Sequence, residues 1–493
     1  MITFLTSILL LLLGFLLYGT FVERVFGADA RRKTPCYTMQ DGVDYIPMPT
    51  WKVFLIQFLN IAGTGPIFGA IQGILFGPAA YLWIVLGCIF AGATHDYLSG
   101  MLSLRSSGAS LPELVGQQLG RTAKVFILIF SLVLMILVGA VFVTTPATLL
   151  ATMTTSWGQW GSFLVWSIVI FLYYLLATLL PIDKIIGRIY PVFGIALLIM
   201  AVGVLYGIFA QQGQLPEITE AFANHHPQAA KLPLFPILFI TIACGAISGF
   251  HATQSPMMAR CMKNERLGRP IFYGAMITEG LVALIWAAAA IKFADSLAVE
   301  GATPYEKLLT AMTNPETGKM NPAIIVNQIC HSWLGTVGAV LAILGVVAAP
   351  ITTGDTAFRS ARLIAADFLR VPQRRVWQRI LMSTPLFLAS FFLMFVNFDI
   401  LWRYFGWVNQ SLGMVTLWTI TVWLARRRKL FIITLLPAIF MTMVCISYIC
   451  IVPEGFSLPL AAGYGIAALV TLLCLSAFLF TFFKNRRKHE THP

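Results

Sequence analysis

Two interrupted apolar segments constrain this chain more than anything else in it. The first reads Gln57-Phe-Leu-Asn-Ile-Ala-Gly-Thr-Gly-Pro-Ile-Phe-Gly69, the second Ala243-Cys-Gly-Ala-Ile-Ser-Gly-Phe-His-Ala-Thr-Gln-Ser-Pro256. Each sets glycines, hydroxyls and a proline inside a stretch otherwise apolar enough to span a bilayer. In hydrocarbon every backbone N–H and C=O needs a partner, so interrupted helices survive only where they line a cavity within the protein. Two such segments at matching places in two halves mark the substrate site of a secondary transporter.

Composition agrees. Of 493 residues, 58% are hydrophobic and 11% charged, against about 25% charged in soluble domains. No polar stretch is long enough for a soluble domain. The net charge of +13 does not point to nucleic acid, because the basic residues sit in short connections between apolar spans. Cys88, Cys244, Cys445, Cys450 and Cys474 fall inside spans, where thiols act as small hydrophobes. Cys36, Cys261 and Cys330 lie in or near loops without metal-ligand spacing, so neither a disulfide framework nor a cysteine metal site is expected. Residues 1–20 lack a basic start and a small-residue cleavage site, and read as a first membrane helix.

Thirteen stretches meet the requirement of about 20 apolar residues: 2–22, 52–72, 79–104, 125–149, 161–181, 190–210, 234–258, 271–293, 334–354, 380–397, 401–424, 430–452 and 459–483. The loops test that count. Of the 33 Lys and Arg, all but Lys231, Lys292, Lys307, Lys319 and Arg403 fall in alternate connections or the C-terminal tail. One helix too many or too few would scramble this alternation, which puts the N-terminus outside and the C-terminus in the cytoplasm. Five spans run from each broken segment, and the two segments enter from opposite sides. The expected fold is therefore an all-α membrane protein built on a 5+5 inverted repeat, with one helix before it and two after. Its boundaries are 1–50 (first helix and cytoplasmic loop), 51–212 and 213–426 (the repeats), 427–483 (two further helices) and 484–493 (basic tail). In the outer loop 294–333, Thr303 to Met312 reads as a short helix with Pro304 in its first turn, either a lid over the entrance or a plain connector.

The breaks carry the candidate site. Gly63, Gly65 and Pro66 let the chain leave helical geometry. That frees carbonyls, such as those of Ala62 and Gly63, for a cation, and turns the N–H groups of the next half-helix toward a carboxylate. A peptide, amino acid or pyruvate would suit such a site. Asn60, Gly63, Thr64 and Gly65 from the first break, and Ser248, His251, Thr253 and Gln254 from the second, are the candidate substrate contacts. Polar side chains at membrane depth are costly unless they face a cavity. Three carboxylates, Asp96, Glu279 and Asp355, lie at or near that depth. Glu279 is the deepest and the first choice for proton coupling; His251 can take a proton. Asp96, beside His95, is expected to pair with an arginine, and Arg359 and Arg362 with Asp355 or Asp367 as an anchor or gate.

Together, Ala62-Gly-Thr-Gly-Pro66, Ala91-Gly-Ala-Thr-His-Asp-Tyr97, Gly249-Phe-His-Ala252, Gly274-Ala-Met-Ile-Thr-Glu-Gly-Leu-Val-Ala283 and Asp355-Thr-Ala-Phe-Arg-Ser-Ala-Arg362 resemble the carbon starvation protein A (CstA) family, in the same order over residues 50–370. The resemblance implies a bacterial inner-membrane transporter of the amino acid–polyamine–organocation superfamily with a LeuT-like core. It implies uptake of peptides during nutrient limitation, and some members resemble pyruvate/proton symporters. The chain is shorter than the long members, which puts substrate in question more than fold. In a LeuT-like arrangement Thr352, Thr353 and Asp355 would adjoin the first break, and sodium could sit among Ala62, Gly65, Thr352 and Thr353.

Rival classes fit less well. The chain has no His-Glu-x-x-His pair, no Gly-x-Ser-x-Gly turn and no phosphate-cradling Gly-x-x-x-x-Gly-Lys-Ser/Thr, so an enzyme or a nucleotide-driven pump is not expected. A transporter-like nutrient sensor would need a signalling domain that so short a tail cannot supply. The expectation is an ion-coupled importer of a small molecule or peptide. It would use no cofactor, take a proton rather than sodium as coupling ion, and have the lipid bilayer rather than nucleic acid as its surroundings. Protein partners are not legible.

Overall fold

The computed structural model describes residues 1–179, 186–313, 320–373, 375–396 and 398–490. Among them every regular element is helical, apart from an isolated bridge between Thr313 and Met320. Backbone hydrogen bonds close within each helix, which is what a chain this apolar needs in lipid.

In chain order the elements are α1 Ile2–Phe26, the bent pair α2 Thr50–Ile61 and α3 Gly65–Phe76, and α4 Ala79–Arg105. Next come α5 Leu111–Leu119, α6 Arg121–Met153, α7 Phe163–Leu179 and α8 Ile186–Ala210. The second broken pair is α9 Leu234–Thr241 and α10 Gly249–Ala259, followed by α11 Glu265–Asp295. Then follow α12 Pro304–Met312, α13 Pro322–Ala342, α14 Ala348–Leu369, α15 Val376–Leu393, α16 Phe398–Arg426, α17 Ile432–Ile451 and α18 Leu460–Glu490.

Two sets of five match. Each opens on a broken helix (α2/α3, α9/α10) and continues with a long helix (α4, α11). A short surface helix follows (α5, α12), and then three more spans: α6, α7 and α8 in the first set, and α14, α15 and α16 in the second, where α13 bends at Gly335 and leads into α14. The third spans of the two sets, α6 and α14, pack along each other. This is the inverted repeat, with α1 before it and α17 and α18 after.

Nine described helices are long and apolar enough to cross a membrane, or ten counting α2/α3 as one bent span. The three remaining expected spans are helical too. The span over 234–258 is split, that over 334–354 begins at a bend at Gly335 (φ 59°), and α16 carries Asn409, Gln410 and Ser411 in its middle. In the loop between α11 and α13, α12 starts as expected: the Thr303 hydroxyl accepts from the Glu306 N–H at 3.3 Å and the Glu306 carboxylate from the Thr303 N–H at 3.2 Å, a reciprocal cap. Residues 314–319 of that loop lie outside the described residues.

Candidate substrate and coupling site

Both breaks form where the sequence placed them. Ala62 leaves the helix at φ −83°, ψ 59°, and the chain resumes as a helix at Gly65 with the two halves bent by 52°. On the other side Ile242 leaves at φ −93°, ψ 72° and Ser248 is extended, with α10 starting at Gly249. The breaks face each other closely. A Cβ on Gly65 would lie 2.5 Å from Cys244 Sγ, and one on Gly249 would lie 2.2 Å from the Gly413 nitrogen of α16. Only glycine lets these backbones approach so near.

The second half-helix is capped from outside its own sequence. Asn409 Oδ1 of α16 accepts from the Ser248 hydroxyl at 3.0 Å and from the Phe250 N–H at 2.7 Å. Asn409 was not among the candidates read from sequence. The signal was present: an amide in the middle of a span falls under the same rule that singled out His251.

The first half-helix shows the opposite pattern. The side chains of Gln57, Asn60 and Thr64 are fully buried, yet their polar atoms have no protein partner. An unmet buried polar group costs about 1–3 kcal/mol. Three of them along one helix end are sustainable where a ligand or water completes them. Gln57, one turn before Asn60, also escaped the sequence reading.

Glu279 and His251 meet, and Asp96 joins them. Asp96 Oδ1 lies 2.8 Å from His95 Nδ1, and its Oδ2 lies 2.8 Å from His251 Nδ1. On the far side of the same ring, His251 Nε2 is 3.5 Å from Glu279 Oε2. All four residues are completely buried. The expected arginine partner of Asp96 is therefore replaced by two histidines, because α4 and α10 pack face to face at this level. Cys244 closes the group: its Sγ, a His251 ring nitrogen and a Glu279 oxygen lie within 4.8 Å of one another.

The chemistry of this row follows from donor counting. An ionised carboxylate only accepts, so each imidazole presents its Nδ1–H to Asp96. His251 Nε2 then faces Glu279, and one proton serves both: imidazolium against carboxylate, or imidazole against carboxylic acid. A second proton converts the pair to imidazolium and acid together. The row can thus change charge by one unit at fixed geometry.

The other candidates are more dispersed. Thr353 reaches the first break, its hydroxyl 3.2 Å from the Leu59 carbonyl and 3.0 Å from that of Ala349, while the Thr352 hydroxyl donates to Ala349 at 2.7 Å. Both hydroxyls are thus engaged with backbone, Thr353 beside the Ala62–Gly65 turn. Asp355 meets the Tyr190 hydroxyl of α8 at 2.5 Å, and the same hydroxyl is 2.9 Å from the Thr352 carbonyl. Thr253 donates to the Phe250 carbonyl at 2.6 Å, and Gln254 Oε1 accepts from Ser360 at 3.2 Å. These last two point toward α6 and α14 rather than into the row. Arg359 and Arg362 turn to Asp44 in the loop before α2, at 3.3 and 3.7 Å, while Asp367 meets Arg260 at 3.7 Å. Asp44 is 315 positions from Arg359 in sequence, and only the packed fold brings them together.

Comparison with known proteins resolves the family. The model of the carbon starvation protein CstA matches residues 1–172, 160–320 and 311–448. The chain belongs to the CstA family. It is 47% identical over 341 residues to an uncharacterised membrane protein of Haemophilus influenzae, covering 60% of this chain and 92% of that one. The pyruvate/proton symporter BtsT of Escherichia coli is 29% identical over 389 residues (66% of this chain, 53% of that protein). The peptide transporter CstA of Bacillus subtilis is 29% identical over 354 residues (59% and 58%). The chain thus spans little more than half the length of these two transporters. Two crystal structures of a manganese transporter of Eremococcus coleocola share the fold, with TM-scores of 0.51 and 0.53 at 13% and 14% identity, covering 91% of this chain and 99% of theirs. At that identity the likeness concerns architecture: a multi-pass membrane protein with a LeuT-like 5+5 core.

Proposed function

We propose that this chain is a proton-coupled importer of small carboxylate-bearing nutrients, short peptides first, in the bacterial inner membrane, with the N-terminus outside and the C-terminus in the cytoplasm. One observation carries the reading. The first broken helix carries unpartnered Gln57, Asn60 and Thr64, and α2 packs against α10 and α11, the helices that bring His251 and Glu279 into the row with Asp96. The start of α3 suits a carboxylate, that of α10 being capped by Asn409, and the amide and hydroxyl groups of the first break suit a peptide's polar backbone. Protonation of the row supplies the coupling: proton and substrate bind together, and the repeat bundle rocks to expose the site on the other side.

Pyruvate is the second reading, supported by the likeness to BtsT. Sodium at Ala62, Gly65, Thr352 and Thr353 is the second coupling reading: both threonine hydroxyls donate to backbone carbonyls and keep oxygen lone pairs for a cation. Reconstituted protein tests all three. Labelled di- and tripeptides and pyruvate are offered under an imposed proton gradient and, separately, a sodium gradient. Peptide uptake driven by protons is expected. Pyruvate uptake alone would change the substrate; uptake driven only by sodium would overturn the coupling role of Glu279.

A further inference from the structure

Where the second break meets the carboxylate–imidazole row, a sulfur, a nitrogen and an oxygen donor converge. Cys244 comes from the turn between α9 and α10, His251 from α10 and Glu279 from α11. Cys244 Sγ, a His251 ring nitrogen and a Glu279 carboxylate oxygen all lie within 4.8 Å of one another, and none of the three residues is more than 5% exposed. The group is unfinished as a hydrogen-bonded cluster. His251 Nε2 and both Glu279 oxygens are buried without a hydrogen-bond partner, Nε2 standing 3.5 Å from Oε2. Unmet buried groups are costly, charged ones most of all, and a cation would meet all three atoms at once.

The surroundings match those of a metal site. Asp96 Oδ2 accepts from His251 Nδ1–H at 2.8 Å, which fixes the ring and leaves the Nε2 lone pair free. A carboxylate behind the imidazole is the recurrent support of a metal-bound histidine. Asn409 supports the sulfur in the same way: its Nδ2 donates to Cys244 Sγ at 3.8 Å, a contact that favours the thiolate. The thiol's own donation, to Ser248 Oγ, is as long at 3.8 Å and little is lost with it. Thiolate, carboxylate and neutral imidazole carry two negative charges, so a divalent ion makes the buried unit neutral, as burial requires. Sulfur and imidazole select zinc and its transition-row neighbours over magnesium, calcium or sodium. Three protein ligands leave a fourth tetrahedral position open.

We propose that Cys244, His251 and Glu279 bind a divalent transition-metal ion, zinc by preference, with Asp96 and Asn409 orienting the ligands. The ion takes one lone pair from each donor, and the thiol proton and the proton shared by His251 and Glu279 pass to solvent. Binding needs only this donor set. Its consequence for transport rests on the proposed coupling: a bound ion occupies the lone pairs that the shared proton needs, so zinc blocks proton-driven uptake.

Cobalt(II) reads the site directly, because a thiolate bound to it gives a near-ultraviolet charge-transfer band. The purified protein in detergent, reduced and stripped of metal, is equilibrated overnight with cobalt chloride. A single equivalent is expected to bind with a thiolate band, which zinc bleaches and a large excess of magnesium does not. Cys244→Ser should abolish the band, whereas Cys474→Ser, on α18, should keep it. Should Cys244→Ser not fold, Glu279→Gln, which keeps the volume, takes its place, with cobalt affinity lowered at least tenfold. No thiolate band from the wild-type protein, a band that survives Cys244→Ser, or an affinity unchanged in Glu279→Gln would each overturn the proposal. Inhibition of uptake by zinc is measured separately in proteoliposomes, so failure of the transport reading leaves the metal result standing, and zinc binding without loss of uptake would overturn the link to coupling.

Discussion

At the level of single residues, the site is a set of unfinished hydrogen bonds around one carboxylate–imidazole row. Asp96 was readable in sequence as a costly charge. Its partner was not, because 155 residues separate it from His251 and only the packing of α4 on α10 joins them. Asn409 and Asp44 were passed over for the same reason: each acts on an element far from its own. The Asn409 cap predicts that Asn409→Ala lowers stability by about 0.5–2 kcal/mol, the range for a lost cap, read as a lower unfolding temperature in detergent. Asp44 permits a statement about pH. Burial alone would raise its carboxyl, but Arg362, Arg359, Arg260 and Arg379 outweigh it and hold the group below the usual carboxylate range. A depressed folded-state value means stability present at neutral pH and lost only as pH falls through that value in acid. Asp44→Asn should therefore destabilise the protein at pH 7 and narrow its difference from wild type below about pH 4, the ordinary aspartate range. A difference that stays constant with pH would contradict the pairing.

At the level of elements, the breaks and most span limits were legible because they are local. Glycine, proline and hydroxyls in an apolar run announce a broken helix wherever it sits in the fold, and Pro304 after Thr303 announced the start of α12. Contact between the two breaks was not legible, since it depends on how the repeats interlock. That contact makes a reciprocal prediction. Gly65→Ala pushes a methyl into Cys244, whose Sγ and Cβ lie 2.5 and 2.6 Å from the new atom. Uptake should fall at least tenfold, and Cys244→Gly, which removes both obstacles, should restore much of it. Gly249→Ala has no such remedy, because its new atom meets the α16 backbone at 2.2 and 2.4 Å. Its cost should reach the upper end of the roughly 1–3 kcal/mol typical of overpacking, seen as poor yield of monodisperse protein.

For the whole molecule, the two repeats pack α2 against α10 and α11, so that unpartnered Gln57, Asn60 and Thr64 share a neighbourhood with the helices of the Asp96–His251–Glu279 row. The transport proposed above requires opening on alternate sides, and Asp44 bridges to Arg359 and Arg362 on the lower one, which the basic loops assign to the cytoplasm. Ser360 reports the lower opening, being 2% exposed and set between Arg359 and Arg362. A cysteine there, in a background without the native thiols, should react slowly with a membrane-impermeant maleimide from the cytoplasmic face. Asp44→Asn should speed that reaction severalfold. An unchanged rate would show that Asp44 does not hold the lower side closed.

In the coupling proposed above, protons move with substrate through the Asp96–His251–Glu279 row. Proteoliposomes holding a pH-sensitive dye measure it most directly: the transported peptide or pyruvate is added outside without an imposed gradient, and lumenal pH is followed. The wild-type protein should acidify the lumen in step with uptake. Glu279→Gln should abolish substrate-dependent acidification while still binding substrate. Acidification that survives Glu279→Gln, or substrate uptake with no proton movement at all, would contradict the account.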